Sequence, residues 1–140
     1  MTHSAPLTDP AHLTITELHQ TLATGRPVMV SMRAAAGHAH LIEWARRHHL
    51  FVPIDRTSSW GNPFVLGRDG NRADVLIAHA RHLTERPDLL TRLRGGELRR
   101  RVLGCWCAPK PCHGHTLAAV SLDPDLDPRA AVRTRPSPRA

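Results

Sequence analysis

Tyrosine is absent from this chain, and the other aromatic side chains are few: three Trp and two Phe in 140 residues. An interior built on stacked aromatics is thereby excluded, and Leu, Val, Ile and Ala must supply the core. Lysine occurs once, at Lys110, so the basic charge is carried by arginine. Cysteine occurs three times, an odd and small count that does not suit a disulfide scaffold and fits a reduced, cytoplasmic setting. No apolar run approaches the length that crosses a bilayer, so no membrane partner is expected. The first ten residues hold no basic stretch followed by an apolar one, and no leader is expected there.

Apolar residues make up 41% of the chain, enough for one modest core. The formal net charge is +7, and it is unevenly spread. Residues 1–50 and 123–140 each hold four arginines against three acids. Residues 51–122 hold ten arginines and Lys110 against six acids. The basic excess lies in the middle, which favours an anionic partner such as a nucleotide, a nucleic acid or phosphate. Heavy use of Arg, Ala, Pro and His also matches a GC-rich coding bias, which raises arginine without a function.

The three cysteines fall within eight residues, in Cys105-Trp106-Cys107-Ala108-Pro109-Lys110-Pro111-Cys112-His113-Gly114-His115. Arg101–Cys105 reads as a core strand and His113–Ser121 as a helix. The cysteines therefore sit in a strand-to-helix loop, where α/β folds bind ligands. Cys112 falls at the helix N-cap, where the helix dipole favours a thiolate. Three readings stay open. Cys105, Cys107, Cys112 and His113 or His115 are the residue types of a zinc site, although closed zinc sites normally combine two distant pairs. Cys107 or Cys112 could act as a nucleophile with His113 in a catalytic site. The thiols could also be buried packing groups, a common state for free cysteine.

A second loop, Trp60-Gly61-Asn62-Pro63-Phe64, carries strong turn chemistry between Arg56 and Arg68. Gly61 permits close backbone approach, and Asn62 both donates and accepts. Together with an aromatic ring and Arg56 they could hold a base or phosphate. The plainer reading makes Trp60 and Phe64 core anchors. His38, His40, His48 and His49 do not converge on one helix face. No phosphate-binding Walker loop, dinucleotide fingerprint or HExxH helix is present.

The remaining pattern is α/β. Residues 1–12 read as disordered. Thr14 and Glu17 form a capping box for a helix that Gly25 and Pro27 end. Val28–Met32 suits either a short strand or a helix. His38–His49 reads as a helix, Phe51–Ile54 as a strand and Val65-Leu66 as a short strand. Asn71 caps a helix to about Leu83, with Asp74 in its first turn. Pro87 opens another helix that Gly95-Gly96 closes. Residues 123–140, rich in Asp-Pro and Arg-Pro, read as a flexible tail. This gives a small single α/β domain at about 51–122, a short sheet flanked by helices, preceded by a helical extension at 13–50. Three helices in 14–50 would also allow a helix-turn-helix DNA-binding element.

Trp60-Gly61-Asn62-Pro63-Phe64, Arg72 at the start of a helix, and Leu103-Gly104-Cys105-Trp106-Cys107-Ala108-Pro109 with Cys112-His113-Gly114 together resemble the domain-of-unknown-function family 4326 of bacteria, archaea and phages. The resemblance covers about residues 52–121. It implies that the α/β unit is the domain, and that Arg56, Trp60, Gly61, Asn62, Pro63, Cys107, Pro109, Cys112, His113 and Gly114 are its signature positions. It brings no established activity. His115 departs from the family's acidic or variable residue. Combined with the basic middle, the two loops lead to three expectations. The first is one shared pocket acting on a nucleotide or nucleic acid, with Arg56, Trp60, Gly61, Asn62, Arg72 and Gly114 around the ligand and Cys107, Cys112 and His113 as its chemistry. The second is a zinc-stabilised interaction module without catalysis. The third is DNA binding through the N-terminal part.

Overall fold

Three parallel strands form the centre of the molecule. The computed structural model describes residues 10–107 and 110–132. The strands are β1 (Val28–Ser31), β2 (Phe51–Pro53) and β3 (Val102–Cys105), in the order β1-β3-β2. β3 pairs with both neighbours, setting Val28, Val102 and Phe51 in one row and Met29, Leu103 and Val52 in the next. Strand residues alternate between faces, so these rows point to opposite sides of the sheet.

The Val28–Val102–Phe51 face packs with α1 (Ile15–Ala23) and α2 (Ala39–Arg47), through Leu18, Leu22, Leu41 and Ala45. The Leu103 face packs with α3 (Arg72–Thr84), α4 (Pro87–Arg94) and α5 (His113–Leu122), through Leu83, Leu89, Leu93, Leu117 and Val120. Helices thus cover both faces, as a parallel sheet requires. Every residue of β3 is buried. Each core leucine contributes about 1.5–3 kcal/mol by leaving water, and here leucine does the work that aromatics do elsewhere.

Val28–Ser31 is a strand. Its backbone continues the ladder of β3, with Met32 N–H donating to the Cys105 carbonyl at 2.7 Å. A strand in place of a middle helix removes the helix-turn-helix arrangement, and α1 and α2 pack on the sheet by their apolar faces. The helical N-terminal part therefore supplies an edge strand to the sheet. Both capping boxes form, Thr14 with Glu17 and Asn71 with Asp74.

Three expectations need correction. Pro10–His12 form a 3-10 turn, while residues 1–9 lie outside the described residues. Val65-Leu66 is a turn closed by Asp69, which accepts from Val65 N–H at 2.8 Å, and no neighbouring strand pairs with it. Pro128–Ala131 form a 3-10 turn that packs on α3 and α5 with Pro128 buried, so residues 123–132 are held by the domain. Residues 133–140 lie outside the described residues. Among the described residues, no helix is long and apolar enough to cross a membrane.

Candidate functional site

The carboxyl ends of β2 and β3 open into a cleft of about 300 Å³. Three segments wall it. The loop after β2 gives Asp55, Arg56, Asn62, Phe64, Val65 and Leu66. The first turns of α3 give Arg72, Val75 and Leu76. The β3–α5 connection gives Cys105, Trp106, Cys107, Cys112 and His113. The two sequence-marked loops do meet, and parallel topology is the reason: it delivers both strand ends to one edge of the sheet.

Several contacts fix the walls. Gly61 has its place because a Cβ there would strike the carbonyl of Asp55 and the Cα of Arg56. Asn62 donates from Nδ2 to the Val75 carbonyl at 3.1 Å and accepts from Phe64 N–H at 2.9 Å, tying the loop to α3. Arg56 reaches the Phe64 carbonyl at 3.3 Å. Arg72 donates to the Pro111 carbonyl at 2.9 Å, holding the cysteine loop against α3. Gly114 lets the first turn of α5 sit on the sheet, since a Cβ would meet Met29 Sδ and Ile54 Cδ1. Gly61 and Gly114 thus shape the site from beneath and do not line it.

Cys112 is the N-cap of α5. Its sulfur accepts from Gly114 N–H at 3.4 Å, and its own N–H donates to His115 Nδ1 at 3.1 Å. His115 thereby closes a capping box, the part usually played by Glu or Gln. His113 is buried, with Nε2 donating to the Ile54 carbonyl at 2.6 Å. That bond leaves Nδ1 as the bare nitrogen, 3.5 Å from Cys112 Sγ.

The thiols differ in state. The Cys112 thiol hydrogen-bonds to Cys105 and to Cys107, and these bonds together with burial push its titration far up, so it stays protonated. Cys107 is half-buried, and hydrogen bonding from Cys112, then Arg72 and the charge of Arg33, brings it down to about 6. A thiolate at neutral pH is the attacking form. Of the two thiols expected to carry chemistry, Cys107 is the one whose pKa is lowered, with Cys112 as its buried donor.

Cys105, Cys107, Cys112 and His113 are the side chains expected to hold zinc. Among the described residues, no group of three or more His, Cys, Asp or Glu side chains is arranged to hold a metal ion. His113 has committed one nitrogen to Ile54 and turned the other to Cys112. Two histidines of the N-terminal part make contacts within the fold: His38 Nδ1 accepts from Ser31 N–H at 2.8 Å and His40 meets the Leu13 carbonyl.

Trp60 is the clearest correction among the ligand-binding candidates. It is 4% exposed and packs in the core, with the Arg92 guanidinium 4.9 Å above its ring. Trp106, which sequence reasoning passed over, is 49% exposed and lines the cleft. Its indole N–H donates to Asp55 Oδ2 at 3.0 Å. Asp55 is held in turn by the hydroxyl and N–H of Thr57, and hydrogen bonds from Thr57 and Trp106 lower its pKa. The usable signal was position, because Asp55 lies two residues past the carboxyl end of β2 and Trp106 directly follows that of β3. Pro109, a signature position, lies outside the described residues.

Similar proteins were found only as sequences. The model of the family described as "Domain of unknown function (DUF4326)" matches residues 39–122, which takes in α2 through α5 and leaves out α1 and β1. The "Uncharacterized 12.4 kDa protein in nrdA-td intergenic region" of Enterobacteria phage T4 is 34% identical over a match covering 49% of this chain. That match spans 65% of the phage protein, just under two thirds of its length. No solved structure matches the chain.

Proposed function

The chain belongs to the DUF4326 family, and from that premise we propose that its cleft binds a nucleotide, with the base against Trp106 and the phosphate drawn to Arg56 and Arg72. One observation carries the reading: an exposed indole and two arginines share a cleft of about 300 Å³ with an apolar wall of Val65, Leu66, Val75 and Leu76. Small-ligand sites combine an apolar lining with a few convergent polar groups and begin at about this volume. Indole faces stack on any base, and guanidinium groups fork onto phosphate oxygens. The first turn of α5 adds the positive end of its dipole at the same edge.

The basic excess of the chain supports an anionic ligand by raising its local concentration. A nucleotide suits the enclosed cleft better than a duplex, because only a small or splayed ligand reaches the Cys107 wall. Cys107 would then lie beside the bound ligand and share Arg72 with it.

Equilibrium dialysis at low salt against nucleoside mono- and triphosphates tests this. The expected result is saturable binding that weakens with salt and falls at least about tenfold in Arg56→Ala and Arg72→Ala. Absence of binding by any nucleotide at millimolar concentration would reject the reading.

A further inference from the structure

Trp106 belongs to two clefts. Beyond the one already described, it lines a wider groove of about 550 Å³ with Met32, Ala39, Ile42, Glu43 and Arg46. That groove lies at the carboxyl end of β1 and along α2, so the two clefts meet at the indole from opposite ends of the sheet edge. Contiguous apolar surface rimmed by polar groups marks a binding surface, and here Trp106 joins Met32, Ala39 and Ile42 in one groove. The indole is also held in place, through its N–H bond to Asp55 and the Thr57 contacts behind it.

Charge is arranged on both sides. Arg56 and Arg72 flank the first cleft, and Arg46 lines the second. Arg33 follows β1 and lies close enough to Cys107 for its charge to be felt there. Outside the two clefts, Arg47, Arg68, Arg86, Arg92 and Arg129 pair with carboxylates, whereas Arg26, Arg81, Arg94, Arg99, Arg100 and Arg101 make no ion pair among the described residues. Among the described residues none of Arg33, Arg46, Arg56 and Arg72 makes such an ion pair. Arg56 and Arg72 in the first cleft and Arg46 in the second thus line two clefts that share a pinned, half-exposed indole, with Asp55 and Glu43 as the carboxylates of that lining.

We infer that the two clefts form one continuous site for two phosphodiester-linked nucleotides, with Trp106 as the shared stacking surface. The inference rests on the nucleotide reading of the first cleft and extends it to a ligand class. The first nucleotide takes the Arg56–Arg72 cleft. The second lies over Met32, Ala39 and Ile42 beside Arg46. The linking phosphate passes Trp106 within the field of Arg33. Stacking on an aromatic tolerates any base and reaches only unpaired bases, so the ligand is single-stranded or a free dinucleotide.

Titration calorimetry with a mononucleotide, the corresponding dinucleotide and a ten-nucleotide single strand tests it on the full chain. The dinucleotide should bind at least about tenfold tighter than the mononucleotide. Arg46→Glu should bring the dinucleotide down to the mononucleotide's affinity, and Arg33→Glu, away from the Phe51 ring on which Arg46 rests, should reduce the gain independently. A single strand that binds as well as the dinucleotide identifies nucleic acid as the source, whereas a strand that is excluded identifies a free dinucleotide. Mononucleotide binding with no gain from the second unit overturns the two-nucleotide site and leaves the first cleft's reading standing. No binding by any of the three overturns both.

Discussion

Cys112 and His113, adjacent in the chain, are also partners in space: His113 Nδ1 lies 3.5 Å from Cys112 Sγ while Nε2 holds the Ile54 carbonyl at 2.6 Å. One imidazole thus joins the end of β2 to the start of α5. Sequence alone casts both residues as chemistry whose loss would leave the fold intact. Burial changes that expectation. His113→Ala strands a buried carbonyl and opens a gap, and should cost about 2–4 kcal/mol. Cys112→Ala removes an N-cap acceptor and a core contact, at about 1–2 kcal/mol. Urea melts of both variants check this, and wild-type stability in either would contradict the packing described.

Acid should unfold the protein earlier than carboxylates alone require. His79 is buried beside His113, with ring centroids 5.0 Å apart. Burial first, then the neighbouring charges of His113 and His82, holds the pKa of His79 well below 6.5. Burial also lowers that of His113. In the unfolded chain both take up protons near 6.5, while the folded state refuses them. Stability is therefore full above about pH 6.5 and declines as pH falls below it, by at most about 1.4 kcal/mol per pH unit for each histidine. Denaturant midpoints between pH 7.5 and 5 measure the slope. His79→Phe should flatten it by removing the titrating ring, and among the described residues Nδ1 of His79 has no hydrogen-bond partner to lose.

Cys107 should react alone. Iodoacetamide at neutral pH should modify it and spare Cys105 and Cys112, both buried. The rate should follow a titration centred near about 6, the value set by Cys112, Arg72 and Arg33. Arg72→Ala should move that midpoint up, since a favourable charge is removed from the thiolate. A bound anion sharing Arg72 should do the same. Mass spectrometry of the modified peptide, read across pH, separates these outcomes; equal labelling of all three thiols would refute the arrangement.

What the sequence disclosed and what it withheld divide along physical lines. Helix ends were legible, because Thr14–Glu17 and Asn71–Asp74 satisfy backbone groups locally. The α5 start at Cys112 was legible for the same reason, although His115 as its reciprocal partner was hidden by the family's different residue there. Val28–Met32 stayed ambiguous because four apolar residues in a run of five carry no usable period, and only pairing with β3 decides it. Loop chemistry alone points to Trp60 and not to Trp106 as a ligand contact, because the burial of each depends on which strand end its loop leaves. Pro128 looked like part of a tail because the turn it opens is held by α3, far away in sequence, as well as by α5.

Gly61 and Gly114 should tolerate no side chain. At Gly61 the obstruction is backbone, the Asp55 carbonyl and the Arg56 Cα, which cannot swing away. At Gly114 it is Met29 and Ile54, whose ends can shift. Gly61→Ala should therefore cost more, roughly 2–3 kcal/mol against about 1–2 for Gly114→Ala. Thermal melts rank the two, and the reverse order would show that the loop after β2 yields more readily than the core.

The two tryptophans give the sharpest separation of stability from binding. Trp60 is fully packed among Leu89, Leu93 and Leu98 in the core facing α4 and α5. Truncation to Ala leaves a large void and should cost about 3–5 kcal/mol. Trp106 is half in water, and its one hydrogen bond goes to an exposed carboxylate. Trp106→Ala should cost under about 1 kcal/mol, since little apolar contact is lost. Nucleotide binding should respond the other way. Trp106→Ala should weaken it about tenfold or more through lost stacking, whereas Trp60→Phe, which keeps the core filled, should leave it near wild type. Paired urea melts and dialysis on the same preparations carry both readouts. Loss of binding in Trp60→Phe with retention in Trp106→Ala would place the ligand elsewhere on the molecule.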